Sequence, residues 1–171
     1  PKTGLGDGLG EGAIVTIWGN NLGSTQGNSK VYFKDSLNNT YEAAYVYYWE
    51  NADPTTGDSG PADLYTYHKM QEIAFSIDST AADGAGTIYV TVNGVQSNTL
   101  PFTIRPGNIY FIKTTGSNSN SGSWSNPWLT LDYAGNGAGG KVKAGDIIYA
   151  CDGVQETDGF LIGMGEIDGT A

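Results

Sequence analysis

Over residues 87–104 apolar and polar positions alternate with a period of two. Ile88, Val90 and Val92 interleave with Tyr89 and Thr91, and Leu100, Phe102 and Ile104 repeat the period after Asn93-Gly94. This pattern predicts two strands, each with one face inward and one toward water. Asn-Gly tolerates positive φ at both central positions of a tight turn, so it joins them as a hairpin. Pro101 has no N–H for a ladder and places the return strand at an edge or at an irregularity.

The same period recurs upstream. Val15 and Ile17 oppose Ile14, Thr16 and Trp18 over residues 13–18; Val31, Tyr32 and Phe33 form a second short strand; residues 41–50 form a third. Residues 64–69 and 73–77 follow, the latter with Ile73, Phe75 and Ile77 on one face. No stretch carries an apolar stripe of helical period over 10 to 12 residues or so. Short strands separated by turn residues such as Gly19-Asn20-Asn21, without intervening helices, predict an all-β chain that begins as an antiparallel sandwich.

After Pro106-Gly107 the pattern changes. Residues 108–112 restart a strand, and 116–124 form a Gly/Ser/Asn loop. Residues 126–134 predict a short helix, and 143–154 read as turn, strand, turn. The expected boundary therefore divides residues 1–106 from 107–171.

Composition and charge narrow the function classes. The 26 glycines and 11 tyrosines among 171 residues suit short strands and many turns. Eight basic against 18 acidic residues give a net charge of −10, which repels phosphate backbones and argues against a nucleic-acid partner. An anionic polysaccharide would need calcium or a local basic groove. No apolar run reaches the ~18 residues of a membrane span. One cysteine, Cys151, leaves no internal disulfide.

Candidate chemistry is sparse. Arg105 and His68 are each the only residue of their type, and no nucleophile–base pair or metal-ligand spacing of His and Cys stands out. No catalytic residue is assigned. The aromatic run is the richer candidate: Tyr41, Tyr45, Tyr47 and Trp49 share one face by alternation, with Glu42, Ala44, Val46 and Tyr48 opposite, and Tyr65 and Tyr67 repeat the pattern. Exposed, Tyr45, Tyr47, Trp49, Tyr65 and Tyr67 would stack on sugar rings; turned inward, they are packing residues with satisfied hydroxyls. Trp18 and Trp124 carry the same ambiguity. Asp53, Asp58 and Asp63, with Glu50, could wrap a calcium ion through oxygen ligands, or line a solvated turn.

Two resemblances add to this reading. Pro1-Lys2-Thr3-Gly4, Val15-Thr16-Ile17-Trp18-Gly19-Asn20-Asn21-Leu22-Gly23, Val31-Tyr32-Phe33 and the closing Val90-Thr91-Val92-Asn93-Gly94 with Phe102-Thr103-Ile104 resemble an IPT/TIG domain. That family implies an immunoglobulin-like β-sandwich over 1–106, often a spacer or accessory module; the loop at 51–63 is longer than its pattern. Downstream, the Gly/Ser/Asn loop, Pro127-Trp128-Leu129-Thr130-Leu131 and Ala144-Gly145-Asp146-Ile147-Ile148-Tyr149 are similar in order to the amino-terminal cap of right-handed parallel β-helix proteins, especially secreted polysaccharide lyases. This resemblance implies the cap and first turn of a β-helix truncated before its coils, because a solenoid needs about three repeats to bury a core.

Together they imply the non-catalytic front of a secreted or cell-surface polysaccharide-degrading enzyme, most simply a lyase. Its sandwich would act as spacer or weak carbohydrate-binding module, and its further partner would be the downstream β-helix coils of the same protein. The alternative is a structural segment of a surface adhesin or a phage-tail-like fibre.

Overall fold

A computed structural model describes residues 13–52 and 64–155. Among the described residues the protein is all-β with almost no helix. It divides into two units, Ile14–Ile104 and a second that takes in Arg105 onward.

The first unit contains two antiparallel sheets. Strands β1 (Ile14–Asn20), β4 (Tyr45–Asn51) and β5 (Met70–Ser76) form one, in the order β1-β5-β4. Strands β2 (Lys30–Lys34), β3 (Thr40–Glu42), β6 (Gly84–Val92), β7 (Val95–Gln96) and β8 (Leu100–Ile104) form the other, with β7 and β8 both paired to β6. Alternation decides what is buried: Ile17, Val31, Phe33, Ile73, Phe75, Ile88, Val90 and Ile104 form one hydrophobic cluster, while Ile14 and Trp18 remain exposed. Removing such apolar area from water is the main stabilising term, roughly 1.5–3 kcal/mol per large side chain.

The hairpin turn behaves as its dipeptide dictates, with φ 50 at Asn93 and φ 82 at Gly94. Val92 then pairs with Val95. The return strand is broken into β7 and β8, and Pro101 sits opposite Thr87 on β8, which pairs only with β6 among the described residues. That edge position spares the proline a missing ladder bond.

Two expected strands are corrected. Residues 41–50 are not one strand but two, β3 and β4, in different sheets. The chain changes sheet at Ala43-Ala44: the Ala43 N–H donates to the Val31 carbonyl of one sheet (2.9 Å), and the Ala44 N–H to the Ser76 carbonyl of the other (3.2 Å). Residues 64–68 form turns rather than a strand. Lys69, at φ 55, closes them by donating to the Tyr65 carbonyl, and the Met70 N–H returns to that of Leu64.

In the second unit β9 (Ile109–Ile112) and β10 (Ile147–Ala150) pair in parallel, and Trp128 adds a parallel bridge to Ile112. The expected helix is shorter and later than 126–134: α1 spans Leu131–Gly135, capped by Thr130, whose hydroxyl accepts from the Tyr133 N–H. Residues 126–128 are instead drawn to β9, with the Trp128 N–H donating to the Phe111 carbonyl. Trp128, fully buried, centres a cluster with Ile112, Ala134, Ala138 and Val142. Its ring stacks on Tyr110 at 4.7 Å, and its indole N–H donates to the Asn120 carbonyl. Gly122 (φ +88) permits this packing, since a Cβ there would lie 2.6 Å from the Trp128 ring. Asp146 ties the turn to the strand by accepting from the N–H groups of Asn108 and Lys143.

Candidate functional site

The outer face of the β1-β5-β4 sheet gathers exposed aromatic side chains, and cross-strand register builds it. Ile14, Ser76 and Tyr45 form one row; Thr16, Ala74 and Tyr48 the next; Trp18, Glu72 and Glu50 the third. Their neighbours on β5, Ile73 and Phe75, point the other way into the core. Ile14, Trp18, Tyr45 and Tyr48 are 37–46% exposed, whereas the small central residues Ala74 and Ser76 are buried between them. The face is thus a carpet of large side chains from the two outer strands over a floor of small ones.

The sequence-predicted aromatic set is only partly on this face. Pairing shifts between Val46, opposite Phe75, and Tyr48, opposite Ala74, so Tyr47 is an extra residue in a β-bulge. A bulge advances the alternation by one position. Tyr48, expected on the face away from Tyr45, therefore joins it. Trp49 is turned inward: it is 6% exposed, packs in the core, and its indole N–H donates to the carbonyls of Leu22 and Gly23, both at 3.1 Å. Tyr45 and Tyr47 meet edge to face, their ring planes 74° apart, so they do not make the coplanar platform expected of a period-two run. Tyr65 and Tyr67 lie in the turns before β5, outside the sheet; Tyr67 is exposed, and Lys69 sits over the Tyr65 ring.

Polar groups frame one end of the face. The Tyr48 hydroxyl donates to Glu72 at 2.6 Å, and burial followed by this carboxylate pushes its pKa above the ordinary tyrosine value. Glu50 stands directly across from Glu72. No lysine, arginine or histidine occurs in β1, β4 or β5. Beside β1, a groove of about 120 Å³ is lined in part by Trp18, Asn20, Leu22, Ser97, Asn98 and Leu100, so Trp18 borders both groove and sheet face. Asn20 has committed its amide N–H to the His68 carbonyl, which leaves its side-chain oxygen as an acceptor. Aromatic planes with carboxylate and carboxamide partners can stack on the apolar side of a sugar and bond its hydroxyls. They supply no base–acid arrangement for cleaving one.

The proposed calcium ligands Asp53, Asp58 and Asp63 lie outside the described residues. Glu50 belongs to the sheet face. Among the described residues no group of three or more His, Cys, Asp or Glu comes together, and no helix is long and apolar enough to cross a membrane. In the second unit Trp124 is partly exposed, with the Lys113 ammonium 3.2 Å from its ring centre. Tyr48 is the site aromatic that sequence reasoning missed, whereas for Trp18 the sequence leaves stacking and packing both open. Alternation against Val15 and Ile17 already turned Trp18 outward, but nothing in the sequence marks the bulge that turns Tyr48. Comparison with known protein families, with curated proteins and with solved structures finds no match.

Proposed function

We propose that this chain is the non-catalytic front of an extracellular polysaccharide-degrading enzyme, a polysaccharide lyase by resemblance. In this reading the first unit is an immunoglobulin-like sandwich of the IPT/TIG kind, serving as a weak carbohydrate-binding module. The second is the cap and first turn of a right-handed parallel β-helix.

The observation that carries the reading is the parallel ladder of β9 and β10, extended by the Trp128 bridge, following a unit whose pairings are all antiparallel. Parallel pairing needs a long crossover, and here it is residues 113–146, which include α1 and a short 3-10 helix at Gly137–Gly140. Among the described residues β10 pairs only with β9, which suits an edge that accepts a following coil. The partner for that edge is the downstream chain, and the location is secreted or cell surface.

The experiment is a turnover assay of the chain on alginate, polygalacturonate and a glycosaminoglycan. No product above a blank reaction is expected, and product from any of the three overturns the non-catalytic reading.

A further inference from the structure

We infer that the outer face of the β1-β5-β4 sheet, centred on Trp18, Tyr48, Glu50 and Glu72, binds a neutral polysaccharide chain and rejects anionic ones. The inference rests on the reading of the first unit as a carbohydrate-binding module and adds the site and the class of glycan. Trp18 and Tyr48 stand on the two outer strands of a three-stranded sheet, with the backbones of those strands about 10 Å apart at the usual strand spacing. Both rings are exposed on the same side, Tyr48 beside the small Ala74 and Trp18 beside Glu72. An extended glycan crossing the sheet meets one aromatic surface and then the other.

Charge selects the polymer. The two carboxylates in the Trp18 row, Glu72 and Glu50, are acceptors for sugar hydroxyls. Beside a uronate or sulfate they are like charges, and none of the three strands carries a cation to offset them. The net charge of −10 acts in the same direction. The groove adjoining Trp18 adds the neutral side chains of Asn20, Ser97 and Asn98, also suited to hydroxyl groups. The unit would therefore hold its parent on a neutral component of a mixed matrix, a polymer of a different charge class from the uronates that the resembled lyases cleave. Binding is weak, because two rings offset only part of the association cost.

The test is affinity electrophoresis of the full chain in native gels containing hydroxyethylcellulose, xyloglucan, galactomannan or mixed-linkage β-glucan, beside gels with alginate or polygalacturonate. At least one neutral polymer should retard the wild type, and neither anionic polymer should. Trp18→Ala should weaken that retardation at least tenfold, and Tyr48→Ala severalfold. Tyr67→Ala, exposed but off the face, should leave it unchanged. Both Trp18 and Tyr48 are partly exposed, and thermal melting of each variant confirms that it folds. Retention that survives Trp18→Ala overturns the site but leaves a carbohydrate-binding module. Retention on anionic polymers alone overturns the neutral class. No retention by any polymer overturns this inference and the module reading together, leaving a spacer.

Discussion

Trp49 and Trp18 lie on the two outer strands of one three-stranded sheet, yet one belongs to the core and the other to the surface. Trp49 fills core volume and satisfies its indole N–H on two carbonyls. Trp49→Ala should therefore destabilise the first unit by about 3–5 kcal/mol in urea unfolding, the range for deleting a buried aromatic. Trp18→Ala should cost about 1 kcal/mol or less, in keeping with an exposed site. Asp35 is the buried acid whose titration matters. Burial disfavours its charge, but donors from Ala82, Asn39 and Leu37 outweigh that penalty and hold its pKa at about 2, against an ordinary value of 3.8. A pKa lowered on folding means that the unfolded chain takes up the proton first. The stabilisation is thus fully present above about pH 4 and is lost as pH falls toward 2. Thermal melts across that window should show Tm dropping for the wild type, with a shallower acid slope for Asp35→Asn at lower overall stability. In the second unit, Gly122→Ala would set a Cβ against the Trp128 ring at a positive φ. A loss of about 2–4 kcal/mol is expected, combining overpacking with backbone strain.

At the level of elements, the bulge at Tyr47 decides which aromatics reach the surface. Deleting Tyr47 leaves Val46 opposite Phe75 and Tyr48 opposite Ala74, so the shortened strand should fold with a loss of about 1 kcal/mol, typical of a single local change. Inserting one alanine between Tyr48 and Trp49 should turn Trp49 outward and cost several times more, because a one-residue slip exchanges the two faces. Urea midpoints of the two variants check the order. Much of the strand pattern was legible in the sequence. The alternation of Ile88, Val90 and Val92, the Asn93-Gly94 turn, the two faces of β1 and the shared face of Ile73 and Phe75 on β5 all follow from local sequence. The candidate face was legible only through Tyr45, Tyr47 and the outward parity of Trp18. A bulge and a change of sheet at Ala43-Ala44 are tertiary choices: both alternatives satisfy local propensity, and partner strands distant in sequence, β2 and β5, make the selection. The same holds for residues 126–128, whose helix-compatible composition yields to the parallel bridge with β9.

Across the whole molecule, an antiparallel unit precedes a unit built on a parallel ladder. In the proposed reading the first unit offers a surface to a glycan and the second an edge to a following strand. The glycan surface is the central claim, and amide-resolved NMR of the full chain, titrated with neutral xyloglucan and cello-oligosaccharides, tests it most directly. The account predicts that the Trp18 indole N–H and the backbone amides of Trp18, Tyr48, Glu50 and Glu72 shift with added oligosaccharide, while those of Tyr65 and Tyr67 and of β9 stay fixed. Unmoved resonances on the β1-β5-β4 face at saturating oligosaccharide, or shifts confined to the Tyr65–Tyr67 turns, would contradict it.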